Sequence, residues 1–394
     1  MRILIMKGQS QYGGTRLFAD LAAQAFQRRG HEVDILDLGA TDNGGMLILA
    51  HAQTSGPVDL IFTINICGEF IDSAGRRLTD LYGGAPHVIW HVDYVLGQGE
   101  RLRATPSNTA VLVVDPTQAD AVRAIYGVGR FKYLGFFPHP AVGSATPDDA
   151  TAAEFAERRP IQVLWSGSFQ QPEAERWMGV QGAAREVMQE ALDMALAVEW
   201  VPPHQALDAV LRARGLDLAN PAIRGAREAA ALVHTQVRTT RRFEFLKAVA
   251  ESGVPLHIVG AGWENQLDRF KNVTFEGPVE MTRMAELMAQ SRVVLNTNVN
   301  FGAGSHERPF SASLAGAATF SDFSRYYAQV FQPGKTIELF YWRDLKGGME
   351  KLKALASDPE RAFEYARGAK ATTLAGHTWD QRIDLILQAG EAVR

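Results

Sequence analysis

The chain has 394 residues, 46% of them hydrophobic, with a formal net charge of −4 and a pI near 6.2. That length and apolar share allow substantial cores and imply two domains. The mild negative balance supplies no global basic field, which excludes nonspecific nucleic-acid binding as the main task and leaves local basic sites open.

The N-terminal apolar run, Ile3 to Met6, is too short for a signal peptide. No apolar run approaches the ~20 residues of a membrane span, so the expectation is a soluble cytoplasmic protein without an integral membrane segment. RILIM at the start, a helix over Thr15 to Arg29, EVDILDL, VDLIFTIN, HVIWHV, AVLVV and FKYLGF then alternate strand and helix character. Short β-branched runs separated by helices predict a mostly parallel sheet covered on both faces. Ligands of such sheets gather at the carboxyl ends of strands, here the loops after Met6, Asn65 and Val92. Cys67 is the only cysteine, so neither an intrachain disulfide nor a multi-cysteine metal site can form. Beside an apolar run it is expected to be a small buried side chain.

From His139 to Pro160 the prolines and small residues of HPAVGSATPDDATAAEFAERRP read as a linker. A second α/β pattern opens with IQVLWSGSF, but its next strand, VPLHIVGAGW, follows only after an Ala-, Glu- and Arg-rich stretch, Pro172 to Ala250. That insert is expected to be helical, broken at Pro202, Pro203 and Pro221. Beyond it come a strand at Val273 to Phe275, a helix near Met281 to Gln290 and a strand at Thr336 to Leu339. A last helix is capped by Thr378 with Gln381 and carries Trp379, Ile383, Ile386 and Leu387 on one face.

The most informative stretch is VVLNTNVNFGAGSHERPFSASLAGAATFSD, from Val293 to Asp322. It reads as buried strand, glycine loop and helix. Gly302 and Gly304 permit close backbone approach, and Ser305 is placed to cap a helix with Phe310, Leu314 and Ala317 on its apolar face, so that first-turn N–H groups point into the loop. A pyrophosphate fits there, with His306 and Arg308 adding donors and charge. Asn296, Gly304 and Glu307 are assigned to the same site. Arg241 and Arg242, in the RTTRR run behind Arg238, either join it or begin an exposed helix. Gly260, Gly262 and Trp263 follow a strand with a G-x-G pair that lacks the full dinucleotide spacing; Trp263 either packs on a base or belongs to the core. Gly167 and Ser168 are also placed to approach phosphate. At the end of HVIWHV, His91 and Asp93 are the candidates for taking a proton, and in an extended strand they share a face. Each is equally compatible with a buried structural role. Gly13 and Gly14 form either a ligand-approach loop on the acceptor side or a simple helix start.

The ordered segments LHIVGAGW, FEGPVEMTRMAELMAQSRVVLNTNVN, ERPFSASLAGAATFSD, FQPGKTIELFYW and GHTWDQRIDLIL resemble CgeB-type (spore maturation protein-like) group 1 glycosyltransferases over roughly Ile161 to Leu387. MKGQSQYGGTRLFADLAAQAFQRRGHEVDILDL resembles the opening of many group 1 enzymes. The resemblance implies the α/β GT-B fold: two Rossmann-like domains facing a cleft, with an acceptor-side domain at 1–140, a linker at 141–160, a nucleotide-sugar domain at 161–376 carrying the helical insert 172–238, and a C-terminal helix at 377–394. It implies a glycosyltransferase moving sugar from a nucleoside-diphosphate sugar to a hydroxyl of a glycan or protein, with no cofactor and no metal. The absence of any Asp-x-Asp pair agrees, and shifts charge stabilisation to a helix N-terminus and Arg308. One departure matters. Where CgeB-type sequences carry Phe-Glu-Ala, this chain has Phe310-Ser311-Ala312, so Ser311 offers only a hydroxyl to sugar or ribose. A GT-B nucleotide-sugar epimerase and a noncatalytic nucleotide-sugar-binding scaffold therefore stand as alternatives.

Overall fold

The computed structural model describes residues 1–65, 71–170, 177, 179–298 and 301–394; Cys67 and the first residues of the expected insert lie outside them. The chain divides into two compact units, Met1–Pro140 with Thr378–Arg394, and Ala141–His377. Each unit is built on a six-stranded sheet whose neighbouring strands are all parallel.

In the first unit the strands are β1 (Arg2–Lys7), β2 (Glu32–Asp37), β3 (Leu60–Ile64), β4 (His87–His91), β5 (Ala110–Val113) and β6 (Tyr133–Phe136), in the order β2-β1-β3-β4-β5-β6. β3 and β4 are buried along their whole length, as continuous apolar runs in a doubly covered sheet must be. The helix Gly14–Arg28 lays Phe18, Ala22 and Phe26 on the sheet. The final helix, Trp379–Glu391, also belongs to this unit: Trp379 meets Trp90 edge-on at 5.8 Å, and Arg28 pairs with Asp380 at 2.8 Å. Thr378 begins it as expected, its N–H donating to Gln381 Oε1 at 2.9 Å.

In the second unit β7 (Ile161–Ser166), β8 (Leu256–Val259), β9 (Val273–Glu276), β10 (Ser291–Asn296), β11 (Ala318–Asp322) and β12 (Glu338–Phe340) run in the order β12-β11-β10-β7-β8-β9. One face is covered by the helix Ala230–Glu251, whose Phe245 stacks on Phe340 at 4.9 Å and on Phe320 at 6.3 Å. On the other face Leu164 and Val294 pack with Leu287, Met288 and Ala312.

Three expectations need correction. Residues 141–160 are not a loose linker: Val142 N–H donates to Ser311 Oγ at 3.0 Å, Thr146 N–H to the Leu314 carbonyl at 2.9 Å, and a helix, Ala152–Arg158, buries Phe155 in the second core. The composition looked unstructured because these residues find their partners in a helix more than 150 positions away. The insert does not end at 238, since Ala230–Glu251 is one 22-residue helix that continues into the core. The last strand starts at Glu338 rather than Thr336, because Gly334, at φ +79°, folds Gln332–Ile337 into a turn in which Lys335 and Thr336 N–H groups both donate to the Gln332 carbonyl.

Buried histidines set a pH dependence. His91 is buried and its proton affinity is pushed down to about 4, by burial first and then by Arg101. The unfolded chain binds this proton near pH 6.5 and the folded one does not, so stability is full above that value and falls as pH drops towards 4, by up to about 1.4 kcal/mol per pH unit. Comparing urea midpoints of wild type and H91N at pH 7.5 and 4.5 should show the larger acid loss in wild type; parallel losses would refute this assignment.

Candidate functional site

The strand order of the second sheet reverses between β7 and β10, so their carboxyl ends bound the crevice where open α/β sheets take ligands. One side chain bridges them. Arg308, 7% exposed, donates from Nε to Ser166 Oγ at the end of β7 and from Nη1 to Asn296 Oδ1 at the end of β10, both at 2.9 Å. Asn296 is oriented for this by its own Nδ2, which donates to Ser321 Oγ at 2.9 Å. Arg242 arrives from the helix on the opposite face of the sheet, its Nε donating to Thr297 Oγ1 at 3.4 Å. The guanidinium carbons of Arg308 and Arg242 lie 5.5 and 6.0 Å from the Trp165 ring. Arg238, one turn before Arg242, donates to Gln170 Oε1 at 3.2 Å. Burial, with the positive charges of Arg238 and Arg308, pushes the Arg242 proton affinity down to about 9; Asp322 and Glu307 only partly offset this. Such crowded guanidiniums form a seat for an anion with paired oxygens.

The RTTRR run is therefore not a helix start. It lies in the third and fourth turns of a long helix, and Arg241 turns away to donate to the Ala195 carbonyl at 3.0 Å and to face Trp342 at 5.2 Å.

Two glycine turns close in beside the arginines. Gly167 and Gly260 sit at φ +144° and +143°, and a Cβ on Gly260 would stand 2.5 Å from the Gly167 carbonyl oxygen. Gly167 N–H donates to Val259 and Phe169 N–H to Ala261, while Ser168 Oγ accepts from Ala261 N–H at 3.3 Å. Gly262, at φ +87°, passes Phe169 closely. Trp263 is 1% exposed, and its indole N–H donates to the Gly167 carbonyl at 2.6 Å. It is a core brace for the turn and offers no face to a base.

The segment before the Arg308 helix differs from expectation. The helix runs only Arg308–Leu314, with Glu307 at its cap and Pro309 in its first turn, so it presents few free N–H groups. Ser305 is fully buried three residues upstream and does not cap it. Gly304 instead anchors the loop, its carbonyl accepting from Asn298 Nδ2 at 3.0 Å and from Ser324 Oγ at 2.6 Å. The Tyr327 hydroxyl accepts from His306 N–H at 2.7 Å. His306 Nδ1 lies 2.6 Å from Glu307, and burial lowers its proton affinity more than the Glu307 charge raises it, which leaves the ring neutral at pH 7. It adds no positive charge. Ser311 is committed as well: its hydroxyl donates to the Glu307 carbonyl and accepts from Val142 N–H, both at 3.0 Å. It holds the entry of the chain into this unit rather than a sugar or ribose. Asp322, pushed up to about 6 by burial, receives the Asn298 N–H and the Trp342 indole N–H and is structural.

In the first unit His91 and Asp93 part company because β4 ends at His91 and the chain turns. His91 is buried, with both ring nitrogens unpartnered among the described residues, while Asp93 is exposed. Asn65, at φ +55°, donates to Asp93 Oδ2 at 2.9 Å and accepts from Val92 N–H at 3.0 Å, which fixes the carboxylate. Gly13, at φ +73°, precedes the first helix and Gly14 is its first residue.

The structure of HepE from Anabaena with UDP and glucose matches 98% of this chain and 99% of its own, with a TM-score of 0.53 at 13% identity. Sucrose-phosphate synthase from Thermosynechococcus elongatus matches over 99% and 98%, with a TM-score of 0.55 at 12% identity. An alpha-glucosyltransferase in complex with UDP-glucose and DNA containing an abasic site matches over 98% and 99%, with a TM-score of 0.53 at 12% identity. The fold is GT-B. A glycosyl transferase-like family model matches residues 238–388 of this GT-B chain, a span that includes Arg238, Arg242 and Arg308. No curated protein matches it.

Arg238 escaped the sequence reading although its signal was present: four residues before Arg242, it lies on the same helix face. The close approach of Gly260 to Gly167 had no local signature. Replacing Gly260 by Ala should destabilise the second unit by about 2 kcal/mol and weaken any ligand of this crevice, read by urea unfolding; a neutral substitution would disprove the tight approach.

Proposed function

We propose that this chain is a glycosyltransferase that takes a sugar from a nucleoside-diphosphate sugar held at the β7–β10 crevice, and passes it to an acceptor hydroxyl of a glycan or protein. The observation that carries the reading is the group of three arginines converging on the ends of β7 and β10. Transfer leaves a diphosphate that gains negative charge as the glycosidic bond breaks, and preorganised cations stabilise that charge more than they stabilise the ground state. Arg308 is already oriented by Ser166 and Asn296, and Arg242 by Thr297, so little reorganisation is needed. Guanidiniums then take the role that a divalent cation fills in other transferases, and the reading is of a metal-independent enzyme. The backbone at Gly167–Ser168 and Gly260–Gly262 approaches the nucleotide, and the neutral His306 with Glu307 faces the sugar hydroxyls. Asp93, held by Asn65, is the group proposed to take the acceptor proton.

HepE and the alpha-glucosyltransferase are described with UDP or UDP-glucose, which makes UDP the first nucleotide to test. The ordered segments of the second half favour the CgeB-type group within this class. No described helix is long and apolar enough to cross a membrane, and a cytoplasmic setting is part of the proposal. A second reading, a noncatalytic nucleotide-sugar binder, is favoured by Ser311, whose hydroxyl is occupied structurally where a carboxylate was expected.

Calorimetric titration with UDP, GDP, TDP, CDP and ADP and then the sugar nucleotides, in EDTA and then with magnesium, tests the proposal. Selective binding in EDTA supports it, and no binding at millimolar concentration overturns it. Binding without transfer, hydrolysis or release of a free epimer selects the scaffold reading. R308A should weaken nucleoside-diphosphate binding by about 10- to 100-fold with the fold retained; unchanged affinity would remove Arg308 from the site. D93N should lower turnover while leaving nucleotide affinity intact. The Arg242 value also makes a pH prediction. A diphosphate binds the charged guanidinium, so affinity should hold below pH 9 and fall by about tenfold per unit above it, and R242K, whose ammonium has a lower ordinary proton affinity and meets the same burial and neighbouring charges, should move that break to lower pH.

A further inference from the structure

The turn between the helices Gly182–Ala197 and Pro203–Ala213 exposes an indole. Trp200 is 48% exposed, an unfavourable position for so large an apolar side chain unless something covers it. It is also firmly seated. Its ring lies 5.0 Å from Phe323 and 6.0 Å from Tyr341, which stack on each other at 5.2 Å, and its Cδ1 would meet a Cβ on Gly302 at 3.5 Å. Pro202 and Pro203 follow and restrict the backbone, so the ring is positioned before any ligand arrives.

Phe323 and Tyr341 are the first residues beyond β11 and β12, which puts this aromatic surface on the same sheet edge as Ser166 and Asn296. Its rim carries an exposed cation held by a buried carboxylate. Arg343, with 74% of its side chain exposed, covers Tyr341 at 5.3 Å, and its Nε stands 3.7 Å from a Glu199 oxygen; the other Glu199 oxygen accepts the Trp342 N–H at 2.6 Å. We propose that Trp200, backed by Phe323 and Tyr341, is a carbohydrate-stacking platform that holds a sugar ring of a glycan acceptor next to the nucleotide-sugar site. A flat apolar face flanked by the exposed Arg343 guanidinium, itself held by the buried Glu199, matches a pyranose, whose C–H face is apolar and whose rim carries hydroxyl oxygens that accept from N–H donors. A lipid surface fits less well, because the charged residues beside the exposed Met194 and Val198 in the chain, Glu190, Asp193 and Glu199, are acidic rather than a basic cluster. The inference rests on the transferase reading and narrows its acceptor from any hydroxyl to a glycan.

The test is binding of wild type, W200A and W200F to the immobilised oligosaccharides of a mixed glycan microarray, followed by calorimetry with the strongest one, and with UDP in parallel. The expected result is binding that W200A weakens by about tenfold and W200F largely restores, while UDP affinity is the same in all three, which also shows that W200A folds. Absence of glycan binding, or equal binding by W200A, overturns the platform. A concentration-dependent dimer abolished by W200A overturns it too, since a second copy would then be what covers the ring. Trp200-dependent glycan binding without UDP binding would leave the platform standing and sink the nucleotide-sugar reading.

Discussion

Arg308 is the cross-link on which the second unit's ligand edge depends. Parallel strands that diverge at a switch point leave their carboxyl ends without a shared neighbour, and a rigid fork of N–H donors can hold both ends at once. Ser166 and Asn296 each give it an oxygen at 2.9 Å. The arrangement is costly by itself, because a buried guanidinium keeps its charge and here it repels Arg242, which Arg238 also repels. Under the proposed function, the negative charge of the diphosphate offsets that repulsion.

The helix Ala230–Glu251 connects stability to chemistry. Phe245 stacks over β11 and β12 on its core side, and one turn earlier Arg242 reaches the crevice. The position of Arg242 is thus set by aromatic packing that cannot shift without opening the core. A similar economy appears at Gly167 and Gly260, whose positive φ values let two loops touch, while Trp263 locks the contact with its indole N–H. Rigid elements, rather than flexible loops, present most of the polar groups.

Much of the fold was legible because period and composition are local properties. Every expected strand of the first sheet formed, since β-branched runs bounded by turns have few alternatives, and the second sheet followed apart from β11, whose residues were read as the end of the preceding helix, and the shifted start of β12. The site was less legible. Arg308 and Arg242 stood out as residues, but their meeting across two faces of one sheet is a long-range fact. Ser311 shows the opposite case: its hydroxyl looked free for a ligand, and the chain uses it to hold Val142, a residue 169 positions away. His306 looked like a source of positive charge until burial made it neutral.

The sequence alone determined the class of structure, two parallel α/β sheets, and the residue types available for an anion, because hydrophobic periodicity and glycine placement act through near neighbours. The tertiary structure decided which of those residues face one another. Burial, strand order and the pairing of distant backbone groups made Arg238 part of the crevice and Trp263 part of the core. They also buried His91 while exposing Asp93, two residues beyond it. These outcomes depend on contacts between segments far apart in the chain, and no local pattern carries them.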